Sequence, residues 1–175
     1  MRHTYRLFSL FVICLSCNTE HDSLNYTNEK VPVSIAKNFT MTYTDSMLTK
    51  SFVSGKIHYD FTSDILNYSE FFEDVELVIY DENKTSTIRS EYAIVYNSFR
   101  FMEFNNNVKI TTTDGELLTT DKLYYDTENE WLFTENDFEY IDKTNKIVAN
   151  RLDSNRDFTD LVTGNLTGSI NITEE

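Results

Sequence analysis

The stretch from Asn107 to Asn171 restricts this chain to one class of fold. It divides into short runs separated by turn signals: V-K-I-T-T-T, then D-G, then E-L-L-T-T-D-K-L-Y-Y-D, W-L-F-T-E-N, D-F-E-Y-I-D, N-K-I-V-A-N and a Thr-rich close. Val108 and Ile110 alternate with Lys109 and Thr111, and Phe138 and Tyr140 alternate with Asp137 and Glu139. That period of two marks strands with one face buried and the other wet, and leaves almost no room for a helix. Asp114-Gly115 between two such runs predicts a hairpin, with a primed turn that needs positive φ at both central positions. Asp126 to Asn129 and Asp142 to Asn145 predict further turns, closed by Asn and Asp side chains in place of glycine.

The same pattern extends upstream. Met41 and Tyr43 alternate with threonines, and Val53, Gly55, Ile57 and Tyr59 share one parity, as do Val75, Leu77 and Ile79. Ile88, Tyr92, Ile94 and Tyr96 line the following strand, after a turn at Asp81 to Lys84. Asp64 to Phe72 is the one place where a helical turn is plausible, and the triple asparagine Asn105 to Asn107 predicts a tight turn after the run Phe99 to Phe104. Roughly ten strands in simple succession imply one antiparallel sheet, closed or partly closed. With 13 Phe, 11 Tyr and only 4 Gly and 1 Pro in 175 residues, most turns must be built from Asn and Asp.

The chain begins with a targeting pattern. Arg2 and Arg6 precede an apolar run, Leu7 to Ser16, that is too short to span a bilayer, which takes about 20 residues. Ser16 then stands before Cys17 and the sequence turns polar, which resembles a bacterial lipoprotein signal cleaved to leave Cys17 as a lipid-modified N-terminus. The expected organisation is therefore a signal peptide over 1–16, a lipid-anchored tether over 17–33 and one β-domain over 34–175. Both cysteines are consumed in this reading, so no disulfide or thiol chemistry is expected in the domain.

Several functions are argued against. A formal net charge of −14 opposes nucleic-acid binding, which needs clustered Lys and Arg. His58 is the one histidine of the domain, with no cysteine to join it in a zinc site. Gly55-Lys56 is followed by Ile57 and has no leading glycine, so there is no phosphate-binding loop. The acidic groups Glu73-Asp74, Asp81-Glu82 and Glu128 to Glu130 fall in turns or at strand ends, where charge is normally solvated, and no calcium-loop spacing follows Asp81. No metal and no cofactor is expected. Trp131 with Tyr124 and Tyr125 suggests a sugar-stacking platform, against the simpler role of cross-strand packing.

From Phe39 to Ile172 the chain resembles the LptC family, the periplasmic component of the lipopolysaccharide exporter. The likeness is carried by Asn107-Val108-x-Ile110, by Asp114-Gly115-x-x-Leu118-x-Thr120, by Leu123-Tyr124-Tyr125-Asp126, and by Ser154 to Phe158 with Asn165 to Gly168. Tyr68 to Val75 resembles the family's Phe-Pro-x-Gly turn, with Phe72 for proline and Asp74 for glycine. Ala149 and Arg151 stand where two family glycines are expected. The resemblance implies a single twisted antiparallel β-jellyroll, open along one seam, whose apolar interior holds lipid A acyl chains. Candidate groove residues by parity are Val75, Leu77, Ile79, Ile88, Tyr92, Ile94, Val108, Ile110, Phe138 and Tyr140. Burial is worth about 0.8 kcal/mol per methylene, so a chain of a dozen carbons is held by roughly 10 kcal/mol.

Partner edges follow from the same resemblance, because an open sheet can be extended strand to strand. Phe39, Met41 and Tyr43 would meet a subunit of an inner-membrane ABC transporter. Phe158, Leu161, Leu166 and Ile170 would meet a soluble bridge protein of the LptA type, through a long strand over Thr159 to Ile172. The implied function is a non-enzymatic periplasmic conduit for lipopolysaccharide in a Gram-negative bacterium, anchored at the inner membrane through Cys17. The alternative is a carbohydrate-binding lipoprotein of jelly-roll fold.

Overall fold

The computed structural model describes residues 30–62, 67–81 and 84–166. The leader, Cys17, most of the tether and Ile170 lie outside them. Nine strands follow one another: β1 (Ser34–Asp45), β2 (Leu48–Phe61), β3 (Tyr68–Tyr80), β4 (Thr85–Tyr96), β5 (Phe101–Thr112), β6 (Leu117–Asp126), β7 (Trp131–Ile141), β8 (Lys146–Asn155) and β9 (Leu161–Thr163). Each pairs antiparallel with the next in one sheet, and among the described residues β1 does not pair with β9, so a seam stays open. The expected all-β fold, a single antiparallel sheet open along one edge, is the one the chain adopts.

One face of the sheet is the core. Residues directly opposite on neighbouring strands share a face. Leu77, Ile88, Ile110, Leu118 and Tyr140 stand opposite one another in a row that crosses five strands. A second row runs Phe71, Ala93, Phe104, Leu123. All nine are buried and belong to one cluster. The sheet also curls, since Tyr140 packs on Phe158 with ring centroids 5.1 Å apart and Arg156, just after β8, reaches Asp81 at the far end of β3.

Between the two rows the ladder slips in every pairing from β2–β3 to β7–β8. The odd strands carry one extra residue against each neighbour, a β-bulge that bends and twists the sheet. In β3 the core residues Phe71 and Val75 are four apart and keep their parity. In β4 Ser90 and Ala93 are three apart, so the faces exchange. Glu73 and Asp74 (φ 59° and 54°), Asn106 and Asn107 (64° and 51°) and Arg151 (55°) take left-handed backbone along this line. Asp74 and Arg151 thus adopt the conformation for which glycine is the usual residue.

Each interruption orphans backbone groups, and buried hydroxyls satisfy several of them. Ser90 Oγ donates to the Tyr92 carbonyl at 3.1 Å, Thr120 Oγ1 donates to the Asp137 carbonyl at 2.9 Å, and Thr134 Oγ1 accepts from the Asn136 amide at 3.1 Å. A polar group on an apolar face is stable only when so paired.

Several expectations are corrected here. Asn105 to Asn107 is no turn but the bulge inside a continuous β5, and the runs around Trp131 and Phe138 are one strand, β7, so nine strands stand where about ten were expected. Tyr68 to Phe72 is the start of β3 rather than part of a helical turn; residues 63–66 lie outside the described ones. The Asp114-Gly115 hairpin forms, but only Gly115 has positive φ (92°), and the closing bonds run from the Gly115 amide to the Thr112 carbonyl and from the Thr112 amide to the Glu116 carbonyl. The Asp126 and Asp142 turns close as expected: Asp126 Oδ1 accepts from the amides of Glu128 and Asn129, and Asp142 Oδ1 from those of Thr144 and Asn145.

A substitution tests the bulge line. Asn106 is exposed, so Asn106→Val removes no buried contact while forcing a β-branched residue into left-handed backbone. The expected loss is about 1–2 kcal/mol, read from urea unfolding, and Asn106→Gly is expected to lose far less.

Candidate functional site

Eight of the ten groove candidates share the core face and are buried: Val75, Leu77, Ile79, Ile88, Val108, Ile110, Phe138 and Tyr140. Tyr92 and Ile94 lie on the opposite face, because the exchange between Ser90 and Ala93 reverses the parity on which they were chosen. Tyr92 packs there on Phe72, with centroids 4.8 Å apart, and Phe72 on Tyr59 at 5.3 Å. Burial and the neighbouring Glu70 push the Tyr92 phenol well above its ordinary range. The aromatic series continues along that face through Phe101, Tyr124 and Phe133. Tyr124 and Trp131 are on this outer face while Tyr125 is in the core, so the three do not assemble one sugar platform.

The core face is packed at its centre and open at one end. Phe104, Leu118, Leu123 and Leu152 have no exposed surface. Toward the ends of β1 to β3 the packing gives way. Met41 stands opposite Val53, itself opposite Leu77, and Tyr43 opposite Ser51, itself opposite Ile79, so both belong to the core face. Yet Met41 is 37% exposed and Tyr43 63% exposed. Beside them a cavity of about 370 Å³ is floored by Leu77, Ile79, Met102 and Tyr125 and rimmed by charged residues, Arg156 among them. A larger cleft of about 690 Å³ lies along the bulge line beside Phe72 and Tyr92, on the face away from the core. The smaller cavity is the one continuous with the apolar cluster.

The edge candidates are distributed unevenly. Phe39 is buried, its ring against Gly55, where a Cβ would stand 2.9 Å away. Met41 and Tyr43 are accessible on the edge strand β1. Phe158 is buried in the turn after β8, Leu161 opens β9, and the exposed Leu166 bridges to Ala149. Within the described residues β9 spans Leu161–Thr163 rather than a long run, because the chain kinks where the Gly164 amide donates to the carbonyls of Asn150 and Arg151.

His58 sits on the core face, stacked on Phe71 at 4.8 Å and beside Phe39 at 5.5 Å, with Nε2 buried and without a hydrogen-bond partner. Burial lowers its pKa below 6.5, opposed by Asp60. The unfolded chain therefore binds this proton first, and stability is lost as pH falls below about 6.5. His58→Phe is expected to show a shallower fall in unfolding free energy between pH 7 and pH 5 than the parent chain, measured by urea titration at each pH.

Among the described residues no group of three or more His, Cys, Asp or Glu could hold a metal ion, and no helix is long and apolar enough to cross a membrane. A family model described as "Lipopolysaccharide-assembly, LptC-related" matches residues 6–162. The chain belongs to the LptC family. The matched span runs from Arg6 into β9, so all the core residues named above fall inside it. LptC membership makes the chain a component of lipopolysaccharide transport, with a periplasmic, inner-membrane-associated location. No curated protein matches it.

Sequence reasoning missed the charged group at the mouth. Arg156 binds Asp81 at 2.5 Å and Glu130 at 3.0 Å, with Asp157 at 3.7 Å, and its side chain is only 9% exposed. Its partners lie 75 and 26 residues upstream, a separation that leaves no local signature.

Proposed function

We propose that this LptC-family chain is a non-enzymatic conduit: it takes lipopolysaccharide from an inner-membrane ABC transporter and passes it to a periplasmic bridge protein of the LptA type. The acyl chains enter the core face at the mouth beside Met41, Tyr43 and Ile79. The observation that carries this reading is that mouth, where an apolar floor continuous with the core meets an edge strand with accessible apolar side chains. Its position favours transfer, because the open edge of β1 can add a neighbouring sheet and so join one groove to the next. Acylation of Cys17 would hold the domain near its donor, with 17–33 as the tether and 34–175 as the transport domain. Hydrocarbon leaves such a surface only for another apolar one, since release into water costs about 0.8 kcal/mol per methylene. Depleting the protein is expected to make lipopolysaccharide accumulate at the inner membrane. Unchanged delivery to the outer membrane would refute the proposal.

A further inference from the structure

The tip of the β1–β2 hairpin is built against its own stability. Asp45 pairs with Leu48, so Ser46 and Met47 form a two-residue loop, and both take positive φ, 50° and 66°. Such a turn suits Asn-Gly, whereas a methionine adds the steric cost of a Cβ in left-handed backbone. Met47 is also 100% exposed and Leu48 beside it 62%, and Tyr43 in the stem opens to solvent as well. Folding gains nothing from three such side chains in water. Local rules are broken in this way where a residue serves function rather than fold.

The size and charge of the tip select what covers it. Its three side chains offer on the order of 400 Å², about half of the roughly 800 Å² that each partner of a stable protein interface buries. From Phe39 to Gly55 the only charged residues are Asp45 and Lys50, which cancel in a chain of net charge −14. Anionic headgroups therefore repel most of the domain and repel this hairpin least. Small, neutral and apolar with a tyrosine at its base, the tip matches the boundary between headgroups and acyl chains. The stem leads straight to the mouth, since Tyr43, Asp45 and Lys50 line the cavity floored by Leu77 and Ile79.

We infer that the β1–β2 hairpin tip docks the domain on a lipid bilayer, with Met47 and Leu48 inserted below the headgroups and the mouth held at the membrane surface. This rests on the conduit reading and fixes where its entrance stands. An anchor at Cys17 permits the arrangement: residues 17–33 reach about 55 Å when fully extended, more than the roughly 40 Å of the 12-residue β1 that separates the tether from the tip.

The test places a dansyl-bearing amino acid at Leu48 or, as a control, at Lys109 in the full chain. The protein is reconstituted in vesicles of phosphatidylethanolamine and phosphatidylglycerol with brominated acyl chains. Quenching is expected at position 48 and not at Lys109, which faces away from the core. Adding Met47→Asp to the chain labelled at position 48 is expected to cut the quenching roughly three- to tenfold. Its unfolding midpoint is expected to stay unchanged, because Met47 is fully exposed. Ser46→Asn with Met47→Gly, which suits the turn, is expected to raise the midpoint and still lose the quenching. Absence of quenching at position 48 would overturn the docking and leave the conduit standing, since that reading fails only if lipopolysaccharide delivery is unchanged on depletion. Quenching that requires the transporter subunits in the same vesicles would assign the tip to a protein partner and overturn the docking as well.

Discussion

Phe104→Ala is expected to lower the unfolding free energy by about 3–5 kcal/mol and the thermal midpoint by roughly 6–20 °C. Phe104 has no exposed surface and stands between Ala93 on β4 and Leu123 on β6, in the row just beyond the bulge line. Its small neighbour Ala93 offers nothing to fill the space, so the cavity would persist rather than collapse. The cost then combines the lost transfer of the ring with the unfilled volume. A domain of this size has a total stability of about 5–15 kcal/mol, so the variant should be near its limit at 37 °C. A loss below 1 kcal/mol in urea unfolding would mean that the core is already loosely packed.

Lys84→Met should be nearly as damaging. Lys84 Nζ meets Glu116 Oε2 at 2.7 Å, and both side chains are largely buried. Glu116 also faces Tyr140, whose phenol is pushed well above its ordinary range by burial and by the Glu116 and Asp142 carboxylates. Removing the ammonium leaves the Glu116 charge unneutralised, with the Thr112 hydroxyl still donating to Oε2 at 2.9 Å, at an expected cost of about 2–4 kcal/mol. The double variant Lys84→Met with Glu116→Gln should recover most of it, because the penalty belongs to the bare carboxylate rather than to the missing lysine. Double-mutant unfolding measurements read the difference directly. Simple additivity of the two losses would refute this account of the pair.

What the chain revealed in advance, and what it concealed, both follow from its bulges. Alternation within a strand is local, so Val75, Leu77 and Ile79, or Phe138 and Tyr140, were assigned a common face from the sequence alone and share it in the structure. Tyr92 and Ile94 were misassigned because parity carries no information across a slip, and β4 changes faces between Ser90 and Ala93. The asparagines of β5 were read as a tight turn, and Asn106 and Asn107 do take left-handed backbone, but in a bulge. Whether such backbone serves a turn or a bulge depends on partner strands that lie far away in sequence. The same distance hid the charged cluster in which Arg156, Asp81 and Glu130 meet only because the sheet curls. The cavity at the mouth was beyond reach for a related reason: the length of the strands and the sense of their curl decide where the core face stops being covered.

The central claim is that lipid travels along the core face and enters beside β1. It is tested most directly by photo-crosslinking in cells, with a benzoyl-phenylalanine placed in turn at Tyr43, Met102, Tyr92 and Lys109. Lipopolysaccharide adducts are expected at Tyr43 and Met102, which line the mouth, and not at Tyr92 or Lys109, which face away from it. Adducts at Tyr92 or Lys109 with none at the mouth would contradict the account.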